Sequence, residues 1–382
     1  MRLGGALLFA AALAGAQEAP NLARELPPAA KVTPDEAIRG AIGWLVKNQN
    51  ADGSWGKATS GRTWEVTAAV PGGHQAFKAA STALCWLGLN DAPHQPEESI
   101  EAQKRALAWM VKNVRVKRAR SGELYNTWAL GYGLQAIAQA IRKKAPGASE
   151  EELKAVADEL VRALGIYQTP DGGWGYYDFQ TGSYKPSWST SFTTATCLVA
   201  LREAEIAGVS VPPKVLAKAR DHVLACRKPD GTYLYGSYMK YGPNHGVNKA
   251  GGSSLRTQAC NLALRLGEGT LDDEALRDGL EQLAEQHRFA IAGLRRPIPH
   301  ESHYAVSGYF YLYGQMYGAR VLELLPEADR RIHGPKIIES VLKARQPDGS
   351  FWDYPLYGYH KPYGTGYALI TLSRCLPRPA AD

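Results

Sequence analysis

A seven-residue phrase returns along this chain of 382 residues at a fixed spacing, and that spacing constrains the fold more than any other feature. It stands as Gln49-Asn50-Ala51-Asp52-Gly53-Ser54-Trp55 and as Gln168-Thr169-Pro170-Asp171-Gly172-Gly173-Trp174. It returns in weaker form as Arg227-Lys228-Pro229-Asp230-Gly231-Thr232-Tyr233 and as Arg345-Gln346-Pro347-Asp348-Gly349-Ser350-Phe351-Trp352. The aspartates are separated by 171 − 52 = 119, 230 − 171 = 59 and 348 − 230 = 118 residues. One period of about 59 residues accounts for all three intervals, with two copies hidden. A repeat of this size cannot bury its apolar face alone, so the copies must stack into one continuous array.

Between the phrases the apolar residues recur at helical spacing. Thr33-Pro34-Asp35-Glu36 supplies an N-cap, a first-turn proline and acids at the positive end of a helix, and Ile38, Ile42, Leu45 and Val46 follow on one face. Helices are expected from Pro34 to the Asn50-Ala51-Asp52-Gly53 turn, then over 74–89, 99–114, 125–141, 151–166, 189–206, 213–226, 253–266, 272–288, 303–324, 332–344 and 365–376. That is twelve helices in six hairpins. The second helix of each pair is richer in Gly, Ala, Ser, Thr and Cys, as a helix packed on both sides requires. The first helices then form an outer ring and the second an inner ring around a central cavity. An open solenoid is the alternative.

The chain opens with the marks of an export signal, 1–16: Arg2, a short apolar run from Leu3 to Ala14, and a small-x-small cleavage site. A flexible leader over 17–34 and a single domain over 35–382 follow. The signal run is too short to span a bilayer and no later stretch is long enough, so a periplasmic or secreted protein without a transmembrane segment is expected. Removing Arg2 leaves a net charge of 43 − 37 = +6. The bases are dispersed, apart from a cluster over 115–120. This balance suits an acidic polymer or an anionic lipid, and no nucleic-acid partner is expected. Cys85, Cys197 and Cys260 hold equivalent places in three repeats, the pattern of small core residues rather than of a disulfide framework.

Gln-x3-Gly-x-Trp after an outer helix, complete at 49–55 and 168–174, resembles the repeat of squalene-hopene cyclases and of protein prenyltransferase β-subunits. The copies at 227 and 345 replace the Gln by Arg and the Trp by Tyr233 and Phe351. The resemblance spans nearly the whole mature chain. It implies an all-α fold, an α/α toroid with a ligand in the central cavity near the N-terminal ends of the inner helices. The catalytic marks of these relatives are absent. There is no Asp-x-Asp-Asp cluster, and the acidic run Asp272-Asp273-Glu274 sits at the start of an outer helix; there is also no Asp-x-Cys zinc pair. Whether the protein is an enzyme is therefore left open.

In such a ring the starts of the inner helices converge on one mouth. The residues assigned to proton transfer there are His303, Tyr304, Asn126 and Arg256. Those assigned to ligand contact are His74, Tyr125, Trp188, Gln258, Tyr309, His360 and Tyr363. A cap or a packed polar group is the plain alternative for each. His300 and His303 could share a helix face, with Asp353 and His360 completing a site in the last loop, but a metal needs three or four converging ligands. No metal and no cofactor is assigned. Tyr309, Tyr313 and Tyr317 form a stripe at i, i+4, i+8, either packed against a Gly-thinned neighbour or lining a wall for sugar rings or an isoprenoid. Lys185 and Lys361 could reach an anionic ligand or point into water. The loop Tyr235–Gly252 has the length and composition of a lid or binding loop.

Three functions follow. The first is an exported toroid that binds an elongated, partly apolar ligand, isoprenoid- or lipid-like, in an aromatic cavity. The second is a polysaccharide lyase-like enzyme acting on an acidic glycan. The third is a non-catalytic protein-binding scaffold.

Overall fold

A computed structural model describes residues 31–58, 74–116, 126–175, 188–267, 269–294, 308–354 and 359–376. The expected export signal, 1–16, lies outside them. Thirteen α-helices occur among the described residues: α1 Pro34–Lys47, α2 Gln75–Asp91, α3 Glu97–Asn113, α4 Asn126–Lys143, α5 Glu150–Tyr167, α6 Ser191–Ile206, α7 Pro213–Cys226, α8 Ala250–Leu266, α9 Asp273–Glu285, α10 His287–Gly293, α11 Phe310–Leu322, α12 Glu327–Leu342 and α13 His360–Cys375. Two short 3-10 helices, Ser237–Met239 and Gly246–Asn248, and isolated β-bridges accompany them there.

The helices form two concentric layers. α2 packs on α4, α4 on α6, α6 on α8, α8 on α11, α11 on α13, and α13 back on α2, which closes the inner ring. α3, α5, α7, α9 and α12 each lie outside the inner helix that precedes them, and α1 lies on α13. This is the α/α toroid. Composition explains the sorting. Ala76, Ala79, Ala80, Ser81, Thr82 and Ala83 of α2 are all buried, so that helix has no solvent face. α9, by contrast, buries only Leu276, Gly279, Leu280 and Leu283. At the closing seam the backbones of α2 and α13 nearly touch. A Cβ on Gly366 would stand 2.7 Å from the Leu84 carbonyl oxygen, so only glycine fits.

The two complete copies of the repeated phrase each fasten an outer helix to another. Gln49 Nε2 donates to Gly53 O and to Ala102 O of α3, both at 2.8 Å; Gln168 Nε2 donates to Gly172 O and to Val215 O of α7, both at 2.9 Å. The indole N–H of Trp55 reaches back to Leu45 O, and that of Trp174 to Leu164 O, at 2.8 and 2.9 Å. The backbone N–H of Trp55, Trp174 and Phe351 each donates to an inner-helix threonine, Thr82, Thr194 and Thr365, at 3.0 Å. One short phrase thus ties its own helix, the next outer helix and an inner helix. The last copy closes the circle: a Cβ on Gly349 would lie 2.8 Å from Gly40 O of α1.

Several boundaries differ from the sequence expectation; α13, expected from 365, begins at His360, and α11, expected from 303, begins at Phe310. The helix expected over 272–288 breaks at Gln286, and α10 is a separate short helix. The helix expected over 332–344 begins at Glu327 and runs through Pro335. Arg277 of α9 holds its first turn, with Nε 2.9 Å from Asp329 Oδ1, a tertiary contact that outweighs the unfavourable Gly334-Pro335 pair.

The ring axis is bridged by side chains. α4 and α11 are not neighbours in the ring, nor are α4 and α13, or α6 and α11. Yet Tyr132 and Tyr367 share a hydroxyl hydrogen bond of 2.6 Å, and the hydroxyls of Tyr313 and Tyr317 lie 3.1 and 3.0 Å from Thr196 Oγ1. Further along, Arg320 donates to Gln135 Oε1 at 2.8 Å and pairs with Glu203. The space beside this pair, lined by Asp91, Gln139, Met316 and Arg374 among others, has room for a single water.

Two predictions follow from these contacts. Gly172 has φ +92° and a Cβ there would sit 2.5 Å from Lys218 O of α7; Gly208 has φ +81° with open space around it. Gly208→Ala should cost about 1–2 kcal/mol, the left-handed strain alone, and Gly172→Ala clearly more, which urea unfolding will separate. Arg320 and Glu203 are both buried. Arg320→Met should destabilise the fold by about 3–5 kcal/mol because it strands a buried carboxylate, and Arg320→Met with Glu203→Leu should recover most of that loss.

Candidate functional site

The N-terminal ends of the inner helices meet at one mouth above the bridged axis. Trp128, in the first turn of α4, is half-buried. It stacks on Tyr132 at 5.9 Å and 10°, and faces Phe192 of α6 at 6.1 Å. Tyr309 and Tyr363 are also half-buried, at the starts of α11 and α13. Tyr363 meets Tyr367 edge-on at 5.7 Å, and Phe310 meets Phe192 edge-on at 5.0 Å. Below these rings lie the buried tyrosines that bridge the axis. Burial holds the hydroxyls of Tyr132, Tyr313 and Tyr367 protonated, with pKa values well above the ordinary range. Among the described residues this mouth, the bowl, therefore carries aromatic side chains over a layer of buried tyrosines.

One side of the bowl carries a carboxyl. Asp353 is 0 % exposed. Its Oδ1 accepts from the Tyr363 hydroxyl at 3.0 Å and its Oδ2 from the Leu312 backbone N–H of α11 at 3.3 Å. Burial pushes its pKa up to about 7, and these hydrogen bonds offset only part of that rise. Its described partners include no cation. Tyr363 carries the polar contact outward, because its ring is half-buried while its hydroxyl rests on the acid. His360 Nδ1 hydrogen-bonds the Tyr354 carbonyl, and its ring lies 5.1 Å from that of Tyr363. His74 Nδ1 lies 3.1 Å from the Tyr359 hydroxyl, and Phe77 stacks on Tyr359 at 4.7 Å.

The residues singled out in the sequence fall into three groups. His74, Trp188, Tyr309, His360 and Tyr363 stand at inner-helix starts. Arg256 and Gln258 do not join them. Arg256 is 1 % exposed and donates to Gly252 O, Tyr233 O and Val247 O, holding the fourth repeat's loop against its motif. Gln258 Nε2 reaches outward to Gly279 O of α9 at 2.8 Å. His300, His303, Tyr304, Tyr125 and Lys185 lie outside the described residues, as does the side chain of Asn126. Lys361 is partly exposed, and its Nζ pairs with Asp348 of its own motif at 2.8 Å. Among the described residues no three His, Cys, Asp or Glu side chains are placed to hold a metal. Cys85, Cys197 and Cys260 are fully buried free thiols.

Trp128, Phe192 and Tyr359 were not among those residues, and Asp353 was weighed only as a metal ligand. For Asp353 a signal existed. Two residues after each motif aromatic stand Lys57, Tyr176, Tyr235 and Asp353, so only the last repeat places an acid there.

A second polar cluster surrounds the third motif. Asp52, Asp230 and Asp348 each pair with a lysine, Lys78, Lys228 and Lys361, at 2.8–2.9 Å. Asp171 instead accepts from Ser189 and Ser237 hydroxyls, both at 2.8 Å, with His222 Nδ1 at 3.5 Å. Serine, histidine, aspartate and the nearby Cys226 are the residue types of a nucleophilic centre, but the geometry is not. Ser189 gives its proton to the aspartate rather than to the histidine. Burial pushes the Cys226 thiol up to about 12 and holds His222 below its ordinary value. The cluster fastens the third motif to the loop that follows Tyr235.

Neither a family profile nor a curated protein sequence matches the chain. Solved structures do. The type II terpene cyclase MstE from Scytonema, in complex with geranylgeranyl dihydroxybenzoate, superposes with a TM-score of 0.54 at 14 % identity, over 90 % of this chain and 97 % of that one. A polysaccharide lyase superposes with a TM-score of 0.50 at 16 % identity, over 89 % and 96 %. A sugar epimerase from a ruminal bacterium superposes with a TM-score of 0.56 at 11 % identity, over 91 % and 100 %. At these identities the likeness defines the class of fold, the α/α toroid of terpenoid cyclases and of several sugar-acting proteins. No helix among the described residues is long and apolar enough to cross a membrane.

Asp353 yields a prediction about stability. Its folded pKa, about 7, is raised above its ordinary value of 3.8. The stability it contributes is therefore fully present below about pH 4 and lost as pH rises through about 7, on the order of 4 kcal/mol in all. The melting temperature of Asp353→Asn relative to the wild type should rise by several degrees between pH 4 and pH 8. Thermal melts across this range check it; equal melting differences at both ends would contradict the burial of the charge.

Proposed function

We propose that the protein binds a compact saccharide unit in the aromatic bowl and moves a proton there through Tyr363 and Asp353. The bridged axis carries this reading, because a floor of tyrosines below half-buried rings suits a ligand of one or two rings better than an extended chain. Aromatic faces stack on the apolar faces of sugars, and the surrounding hydroxyls can meet their polar edges. A carboxyl that titrates near neutrality is poised to give or accept a proton. The Tyr363 hydroxyl, hydrogen-bonded to it, is the group that would exchange that proton with a ligand reaching it. His303, Tyr304 and Asn126 stand as further candidates for proton transfer. An exported location would place the protein among extracellular glycans, and the lyase and the epimerase are sugar-acting toroids.

The second reading keeps an elongated isoprenoid- or lipid-like ligand. The pairing of Phe192 and Phe310 beside Trp128 favours it, as does the superposition on MstE, whose complex holds a geranylgeranyl compound. Calorimetric titration separates the two. Uronate and neutral saccharides should bind, and Trp128→Ala should weaken them about tenfold or more while the variant still melts cooperatively. Binding of geranylgeranyl compounds with no response to any saccharide would reject the first reading in favour of the second. Any turnover found with a saccharide should fall as pH rises through about 7, and Asp353→Asn should remove that limb of the profile.

A further inference from the structure

The loop from Tyr235 to Lys249 combines firm anchorage with exposed aromatic rings. Asn248, fully buried, accepts from the Tyr235 backbone N–H at 2.8 Å and donates to Gly242 O at 3.0 Å. Lys228 Nζ donates to Asn248 O at 2.9 Å, Arg256 to Val247 O, and Ser237 Oγ to Asp171 at 2.8 Å. Arg256 also sits 5.5 Å from the Tyr235 ring. Such cross-ties remove the conformational freedom of the loop. A loop held only for packing would turn its large rings inward. This one leaves Tyr238 51 % and Tyr241 88 % exposed.

One of the exposed rings meets a residue at an inner-helix start. Tyr238 meets Trp188 edge-on at 5.8 Å, and Trp188 leads directly into Thr190, the N-cap of α6. The charge on the loop is one-sided. Between Tyr235 and Lys249 stand Lys240, His245 and Lys249, and no Asp or Glu. Lys240 lies over the Tyr241 ring at 4.9 Å, so a cation and an aromatic face are presented together. Lys240 and Lys249 are exposed and make no ion pair with a carboxylate among the described residues.

We infer that this loop is a rim subsite for an acidic oligosaccharide, one that carries uronate units outward from the unit held in the bowl. Tyr238 and Tyr241 would stack on successive sugar rings, while Lys240 and Lys249 meet their carboxylates. This inference rests on the saccharide reading of the bowl and extends it to a charged, chain-like substrate class. Rigid aromatic residues are suited to that role because their binding costs little side-chain entropy.

The test uses galacturonate and alginate oligomers from dimer to hexamer, titrated calorimetrically into the full chain, the Tyr238→Ala/Tyr241→Ala variant and the Lys240→Ala/Lys249→Ala variant. Both pairs are on the surface, and thermal melts confirm that each variant folds. The expected result is wild-type affinity that rises about tenfold or more from dimer to hexamer. The tyrosine variant should lose that rise and keep the dimer affinity. The lysine variant should weaken the hexamer and flatten its salt dependence. Dimer binding with no gain on lengthening, or a gain that survives in the tyrosine variant, overturns the rim subsite and leaves the bowl reading intact. Failure of oligomers of every length to bind the wild type, while neutral saccharides bind, overturns the acidic substrate class alone. Failure of all saccharides overturns the bowl reading and the subsite with it.

Discussion

The ring depends on the side-chain amide of Gln49 and Gln168 bonding in two directions. One amide group donates both to its own turn and to the first turns of the next outer helix. Each such bond contributes only about 1 kcal/mol net, yet leaving a buried partner unsatisfied would cost more. The Trp that follows converts the turn into a fastening, because its indole caps the preceding helix while its backbone reaches an inner threonine. Closure adds a condition that a solenoid does not face. The last motif must fit the first helix, and it does so through Gly349 against Gly40. A ring has no end repeats to cap, so every outer helix can be fastened in this way.

Closure also fixes what the interior can be. Six inner helices leave an axis too wide for backbone contact and too narrow to remain empty at packing density. Here the gap is spanned by long side chains with polar ends: Tyr132 to Tyr367, Tyr313 and Tyr317 to Thr196, Arg320 to Gln135 and Glu203. Polar tips are tolerated because each has found a partner across the axis. Burying a charge pair there gains little stability over an apolar substitute. Its effect is geometric. The pair spans the axis beyond the tyrosine layer, toward the C-terminal ends of α6 and α11.

Much of the ring was legible in the sequence because its physics is local. Asp-Gly turns, the capping box at Thr33 and Glu36, and small residues on the inner helices each announce themselves within a few positions. The boundaries that went astray were set by distant groups, such as Arg277 holding the start of α12. The site was legible only in part, for the same reason. His74, Trp188, Tyr309, His360 and Tyr363 could be placed at inner-helix starts by counting. Which way a side chain turns from such a start could not be counted. Arg256 turns toward the loop carbonyls and Gln258 toward α9, and both directions are set by backbone groups far along the chain. The threonines that receive the motif N–H are 27, 20 and 14 residues away in three repeats, so no fixed spacing reveals them.

In a repeat protein the departures from the repeat separate structural residues from specialised ones. Lysines neutralise three motif aspartates, which makes that pairing part of the scaffold. Asp171 departs from the rule, and its carboxylate is given to hydroxyls, one of which holds the loop bearing Tyr238 and Tyr241. Asp353 departs in the opposite sense: an acid occupies a place where the other repeats carry Lys57, Tyr176 and Tyr235. Burying that acid with no cation among its described partners costs stability at neutral pH, and Asn, with a single acceptor oxygen, could accept from only one of Tyr363 and Leu312. The acid ties the last motif to α11 and to Tyr363, and both departures stand at the same mouth of the ring.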